Sequence, residues 1–302
     1  MRVDEISLKK HKPRYVDPYR ERRFRMPYQL AAFREDDSMR VELSYATIRG
    51  AFKGDGDNYR LTQGVFAFDA TWQDLLLDIR DVDLEWPRES RSQDRNLGDH
   101  LVGVRSMNLV PGTYHFAVEV VDRIGDRMST CRTSRSFDYG NGLVVSDLLL
   151  ASRITAVREP VESRDDLKIS PNPVRYFTPK NPVHFYFEIY NLARDEFGRT
   201  RYVLSYGLSK PHGDLNPASF AVLTDAQRRS FEKDLSKTLA ATRDRIMNIE
   251  SEHVGETETD FSYLSIDVSQ VPNGIYQLNV SVRDLTSNQT TTRSTVLRVA
   301  RP

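Results

Sequence analysis

A stretch beginning near residue 111 returns 162 residues later. Pro111-Gly-Thr-Tyr-His-Phe-Ala-Val-Glu-Val-Val-Asp122 resembles Pro272-Asn-Gly-Ile-Tyr-Gln-Leu-Asn-Val-Ser-Val-Arg-Asp284, and at this fixed offset Tyr114, Phe116, Val118, Val120 and Asp122 fall on Tyr276, Leu278, Val280, Val282 and Asp284. Apolar and polar side chains alternate in both copies, the period of a strand with one face buried. Each Asp is followed by a polar turn and a Ser/Thr/Arg-rich segment, which ends at Phe137 in one copy and Val299 in the other. Each copy therefore closes with the same hairpin. A fainter echo links Val41-Glu-Leu-Ser-Tyr45 to Val183-His-Phe-Tyr-Phe187. A unit copied once within a chain is a repeat architecture, and 302 residues leave room for two ordinary cores.

The alternation extends through the first half. Val41, Leu43 and Tyr45 form one strand; Val65, Phe66 and Phe68 lead into an apolar stretch through Trp72, Leu75, Leu77 and Ile79; Val102 and Val104 open another. Turn-forming breaks separate them at Lys53-Gly-Asp-Gly-Asp57, Arg88–Asp99, Pro111-Gly112 and Gly125-Asp126. Short strands with no helices between them predict an all-β chain of two tandem antiparallel β-sandwich, immunoglobulin-like domains. The expected organisation is a basic extended arm over 1–25, a first sandwich over 26–139, a connector over 140–166 and a second sandwich over 167–302. The apolar run Leu143–Ile154 reads as a strand or a packed connector, able to cover a sheet edge or to add to a partner's sheet. One segment departs from this texture. Thr224-Asp-Ala-Gln227 fits a capping box, and Phe231, Leu235, Leu239 and Ile246 follow at helical spacing. A helix from about Asp225 to Ala241, inserted in the second sandwich, is expected.

Charge and cysteine content narrow the function classes. The 43 basic and 43 acidic residues cancel, so no whole-molecule field attracts polyanions and no nucleic-acid partner is expected. Cys131 is the single cysteine; it lies on an alternating strand and reads as a small packing residue. No apolar run reaches the roughly 20 residues of a membrane helix. The first 25 residues are basic and polar without an apolar core, so no secretory leader is expected there.

Catalytic signatures are absent. The six histidines are scattered without ligand spacing, and there is no GxSxG elbow, phosphate-binding loop or dinucleotide fingerprint. No cofactor, metal site or catalytic residue is expected, and the chain reads as a non-enzyme. His115 and His184 read as outward-facing strand residues. The Gly54-Asp55-Gly56-Asp57 segment reads as a β-turn; its carboxylates fall short of the six to eight oxygens calcium takes. The candidate ligand-binding residues are Asp81, Asp83 and Glu85 with Trp86. Alternation places the three carboxylates on one strand face and Val82, Leu84 and Trp86 on the other. A solvated acidic face explains them; cation or sugar binding, with Trp86 as a stacking platform, is the alternative. Trp72, within an apolar run, is expected in the core.

Several stretches resemble the C-terminal region of bacterial GWxTD-domain proteins: Met26-Pro-Tyr-Gln-Leu-Ala-Ala-Phe33 with Val41–Tyr45; Leu143-Val-Val-Ser-Asp-Leu-Leu-Leu-Ala-Ser152; Ile169-Ser-Pro-Asn-Pro173 with Phe185-Tyr-Phe-Glu-Ile-Tyr-Asn191; and Leu264-Ser-Ile-Asp-Val268 with Pro272–Tyr276. The resemblance covers roughly residues 15–300. It implies an exported or envelope protein built from β-sandwich modules behind a GWxTD region, a motif this sequence lacks. The expected function is a non-enzymatic interaction or structural module of the bacterial envelope, with another protein or an upstream domain of the same gene product as partner. The alternative is a carbohydrate-binding module using exposed aromatic residues. An extracytoplasmic location follows from the resemblance, and a cytoplasmic one if Met1 is the true start.

Overall fold

The computed structural model describes residues 23–85, 100–138, 140–212, 225–240 and 245–300. They form two antiparallel β-sandwiches. In the first, β1 (Arg23–Arg25), β8 (Arg127–Phe137), β7 (Gly112–Asp122), β4 (Asn58–Asp69) and β5 (Asp74–Glu85) lie side by side in that order. The opposing sheet holds β2 (Tyr28–Glu35), β3 (Ser38–Ile48) and β6 (His100–Leu109).

The second sandwich repeats the plan. Its five-stranded sheet runs β12 (Tyr176–Phe177), β18 (Thr290–Val299), β17 (Gly274–Asp284), β14 (Thr200–Ser209), β15 (Arg245–Gly255). The opposing sheet holds β11 (Leu167–Pro171), β10 (Leu149–Ala156), β13 (Val183–Tyr190) and β16 (Asp260–Ile266), with the short β9 (Val144–Val145) also on β13. In both copies the short strand that comes first in the five-stranded sheet lies parallel to the last one, β1 on β8 and β12 on β18.

The 162-residue offset is therefore structural. β7 and β17 are the central strands of corresponding sheets, and their alternate residues fill separate cores. Phe116, Val118 and Val120 join Val41, Leu43, Tyr45, Val65 and Ala67; Leu278, Val280 and Val282 join Phe185, Phe187, Ile189, Leu204 and Leu297. Burying a side chain of this size contributes about 1.5–3 kcal/mol, so each sandwich has its own source of stability.

The matched tyrosines also do the same work. The Tyr114 hydroxyl donates to the Val110 carbonyl and the Tyr276 hydroxyl to the Pro272 carbonyl, each at 2.7 Å and each four residues back. The matched aspartates hold the turns after their strands. Asp122 accepts from the backbone N–H groups of Lys53 and Ile124, and Asp284 from those of Ala193, Thr286 and Ser287.

The helix α1 spans Asp225–Ala240, between β14 and β15 as expected; Thr224 of the capping box lies outside the described residues. Phe231 is buried against Ile275, with Leu235 beside it. Leu239 is instead exposed and Ile246 belongs to β15. At 3.6 residues per turn a position eight beyond Phe231 has rotated by about 80°. Thr238 takes the inward place, its hydroxyl oxygen accepting from the Ile275 N–H at 3.1 Å. Arg298 donates to Asp234 at 2.6 Å and fixes the helix to β18.

The stretch expected as a connector supplies strands. β10 pairs with β13 over Leu149–Ala151 and with β11 over Ala151–Ala156, so the stretch builds this chain's own second sandwich. Likewise Arg23–Arg25, expected in the arm, pair with Met128–Thr130.

The two sandwiches pack face to face. On β2, Leu30 and Ala32 point into the first core while Ala31 and Phe33 point away, onto Leu149, Leu167 and Tyr186 of the second sandwich. The Phe33 and Tyr186 rings meet edge-on, with centroids 5.4 Å apart. Polar groups rim this contact. Arg164 donates to both oxygens of Glu42 at 3.2 and 3.3 Å, and Arg40 to Glu188 at 3.4 Å. Glu188 also accepts from the Tyr186 and Tyr190 hydroxyls at 2.6 and 2.5 Å. Burial, reinforced by that carboxylate, raises both phenol pKa values. Phenols that stay protonated remain donors to the carboxylate they share.

Candidate functional site

The candidate residues that the structure describes lie on β5, and Trp86 lies outside the described residues. β5 ends the first five-stranded sheet and, among the described residues, pairs only with β4. Its even-numbered side chains turn toward the sandwich: Leu76 and Leu84 are half-buried against the first core. Its odd-numbered ones turn outward, and Asp81, Asp83 and Glu85 are all exposed on that face. The three carboxylates thus share one face, as strand alternation requires.

They are not equivalent. Asp81 accepts from the Thr62 hydroxyl at 2.7 Å and pairs with Arg123 at 3.1 Å. No ion pair joins Asp83 or Glu85 to the described residues. Both line a groove of about 750 Å³ at the end of the strand, together with Asp55, Asn58, Lys53 and Arg60.

On the inward side Asp78 seals the gap between the two sheets. It accepts from Arg80 at 2.8 Å and from Arg105 of β6 at 2.7 Å. Burial pushes its pKa up, but the two guanidinium groups outweigh that and hold it below the ordinary carboxylate value.

The same outward face carries three residues beyond the predicted set. Leu75, Leu77 and Ile79 are 49%, 55% and 37% exposed. All six residues, 75 through 85, occupy odd positions. Leu75 is the extra residue at the register shift, and from Leu77 to Glu85 the others follow a regular ladder, so their common face is legible in the sequence. That this face looks away from the core is not. Next to them on the same side of the sheet, Phe66, Phe68, Ala117, Val121 and Met128 form a small buried cluster, and Leu77 sits directly across from Phe66.

Trp72 corrects an expectation. It is 48% exposed, on the turn between β4 and β5, with φ +66°. The turn is organised by Asp69, which accepts from the backbone N–H groups of Thr71 and Gln73. The indole is thereby turned out of the core and stacks on His115, ring centroids 3.9 Å apart and planes within 4°. His115 in turn bonds the Ser134 hydroxyl at 2.6 Å. Outward-facing His115 is thus as expected; half-buried His184 has its pKa lowered by desolvation.

Residues 54–57 form a turn. Asp55 and Asn58 exchange backbone hydrogen bonds at 2.7 and 3.0 Å, and Gly54 and Gly56 take φ of +61° and +64°, values open to glycine at no steric cost. The Asp57 carboxylate is occupied by Arg49 at 2.7 Å. Among the described residues no three His, Cys, Asp or Glu side chains converge as a metal ion would need, and no helix is long and apolar enough to cross a membrane. Cys131 is buried in the first core, and burial pushes its thiol pKa up to about 12.

No family model and no curated protein matches the chain. Solved structures with a detectable likeness include the serine-rich repeat protein Srr2 of Streptococcus agalactiae, at 10% identity over 91% of this chain and 95% of that one, with a TM-score of 0.24. Two others are alpha-2-macroglobulins. The Escherichia coli protein activated by elastase is 14% identical over 92% of this chain (TM-score 0.24), and the methylamine-reacted Salmonella protein 12% over 92% (TM-score 0.30). This chain spans 23% and 24% of those two molecules. At such scores the likenesses carry no argument about activity.

Proposed function

We propose that the chain is a non-enzymatic, protein-binding structural module of the bacterial cell envelope. The observation that carries this reading is the outward face of β5, where Leu75, Leu77 and Ile79 stand exposed beside three carboxylates on the terminal strand of a sheet. A sheet edge offers backbone N–H and C=O groups as a template for another chain, and exposed apolar side chains beside them mark an interaction site. The buried ionisable groups already have structural duties: Glu188 ties down two phenols, Asp122 and Asp284 hold turns, and Cys131 is packed as an apolar residue. The resemblance to GWxTD-domain proteins over roughly residues 15–300 supports the envelope location and an upstream domain or second protein as partner.

The test is crosslinking in the host cell. A photo-reactive phenylalanine analogue replacing Leu77 should give protein adducts, while the same analogue replacing Asn248, at the matching place in the second copy, should not. Equal adducts at both positions, or none at 77, would reject the reading.

A second reading, a carbohydrate-binding module, is favoured by the exposed Trp72 stacked on His115. Binding on a glycan array that Trp72→Ala removes and Leu77→Asn leaves intact would establish it in place of the first.

A further inference from the structure

We propose that β5 receives an extended segment of another polypeptide as an added antiparallel strand, and that this segment is Lys/Arg-rich over its N-terminal half and apolar over its C-terminal half. The proposal rests on the reading of the chain as a protein-binding module and specifies the chemistry of the partner.

The internal duplication supplies the reference. Ala117 of β7 corresponds to Asn279 of β17, and these pair with Phe66 and Gly207. Phe66 in turn pairs with Leu77 of β5, and Gly207 with Asn248 of β15. Leu77 and Asn248 therefore occupy the same place in the two copies, as do Ile79 and Glu250 two steps on. Even the register shift recurs, between Ala67 and Phe68 in one copy and between Leu208 and Ser209 in the other. At these two places the second copy has an amide, and a carboxylate held by Ser205 at 3.0 Å; its exposed apolar residue on the same face, Val254, lies further along the strand. The first copy has Leu and Ile at those places, 55% and 37% exposed. The fold does not demand exposed apolar groups at these two places, and no described residue of this chain covers them, which favours another molecule as their use.

Among the described residues β5 has no strand on its far side; it contains neither Pro nor Lys over its 12 residues and is regular from Leu76 to Glu85. Of the guards that edge strands carry, β5 has the inward Asp78, the bulge before Leu76 and the carboxylates at its far end, which leaves the segment around Leu77 and Ile79 as its unguarded part. An added strand would lay its alternate side chains directly over Leu75, Leu77 and Ile79, extending by one strand the apolar layer that already contains Phe66 and Phe68.

The carboxylates choose the partner. Beyond Ile79 the same face presents Asp81, Asp83 and Glu85, the last two without ion pairs among the described residues, opening on a groove where these two and Asp55 outnumber Lys53 and Arg60. Cationic side chains at alternate positions would meet them, and like charges there are costly. Antiparallel pairing matches the rest of the sheet around β4, β5, β7 and β8, and it sets the basic half of the partner first. A second copy of this chain fits poorly. Antiparallel pairing of β5 with itself centred on Ile79 opposes Leu77 to Asp81 and Leu75 to Asp83, and centred on Arg80 it opposes Ile79 to Asp81 and Leu77 to Asp83; only a short register centred on Leu77 avoids this.

The probe is a labelled synthetic peptide, Lys-Thr-Arg-Thr-Lys-Thr-Val-Thr-Ile-Thr-Val, titrated into the full chain and followed by fluorescence anisotropy. It should bind saturably, more tightly than its reversed sequence and than a version with Glu in the basic places. Leu77→Asn with Ile79→Glu, the side chains of the second copy, should weaken binding by about tenfold or more, as should Asp83→Lys with Glu85→Lys. All four positions are exposed, and circular dichroism confirms that the variants fold. Methylating alternate peptide amides in two complementary sets should abolish binding for one set only, because a paired strand points half its N–H groups at its neighbour. Indifference to sequence order, to Leu77→Asn or to methylation overturns the proposal. A concentration-dependent dimer that Leu77→Asn disperses would also overturn it, assigning the edge to a second copy. Crosslinks at position 77 in cells, with no binding of the peptide, would overturn the partner chemistry while leaving the protein-binding reading in place.

Discussion

Gln29 and Leu150 close a two-way hydrogen bond across the junction of the sandwiches: the Gln29 amide donates to the Leu150 carbonyl and accepts from the Leu150 N–H, both at 3.1 Å. A primary amide has the same donor and acceptor as a peptide unit, so this side chain acts as one more rung on β10. It is fully enclosed, where neither group of Leu150 could turn to water.

Gln29→Ala should therefore cost about 1–3 kcal/mol, the cost of one buried backbone group left unpaired: the Leu150 N–H loses its acceptor, while the Leu150 carbonyl keeps the Asn172 N–H at 2.9 Å. The loss falls on the junction rather than on either core. Scanning calorimetry should show the variant unfolding over a broader range than the parent, or in two resolved steps. Gln29→Glu, which keeps the shape but loses the donor, should behave similarly.

The paired tyrosine hydroxyls offer a test of equivalence. Tyr114→Phe and Tyr276→Phe each remove one hydrogen bond to a carbonyl four residues back and should each cost about 1 kcal/mol in urea unfolding. The two rings lie in separate cores, so the double variant should lose the sum. A markedly larger effect at one position would show that the copies have diverged in this role.

Asp284 makes the second sandwich acid-sensitive. Burial raises its pKa, but the N–H groups of Ala193, Ser287 and Thr286 outweigh that and hold it below 3.8. A carboxyl whose folded pKa is depressed stabilises the fold above its unfolded value, and that contribution is lost as the pH falls through the folded one. Unfolding midpoints measured from about pH 6 to about pH 2 should therefore fall below about pH 4. Asp284→Asn should be less stable at neutral pH by about 1–3 kcal/mol and should show a shallower fall.

Cys131 should be chemically silent. With its thiol pKa near 12 and its sulfur buried, almost no thiolate is present at neutral pH. A maleimide should leave the native chain unmodified and label it once in denaturant.

Local forces are legible in a sequence and distant ones are not. Strand alternation depends on neighbours in the chain, so Tyr114 through Val120, their second copy and the helix around Phe231 can all be read directly. The face to which an alternating row points depends on the opposing sheet. Apolar residues occupy both parities of β5, with Leu75, Leu77 and Ile79 outward and Leu76, Val82 and Leu84 inward; the sequence therefore defines two faces without naming the outer one. Trp72 escapes the alternation argument for a related reason. A large apolar residue in an apolar run belongs inside unless a turn intervenes, and the Asp69 turn depends on φ +66° at the indole itself. The junction between the sandwiches has no sequence signature because its partners are far apart in the chain. Arg40 and Glu188, or Arg164 and Glu42, meet only after both sandwiches have formed.

The recurring bulge beside the hairpin tip has a practical corollary. Ala67/Phe68 and Leu208/Ser209 break their ladders at the same step, but the connections beyond them differ: a tight turn through Trp72 in one copy, and a long excursion containing the sixteen-residue α1 in the other. The kink lets the connecting chain depart without disturbing the pairing below it. Nature has used that exit once to splice in a helix, which makes residues 70–73 the rational place to graft a tag, a reporter or a foreign domain onto this scaffold.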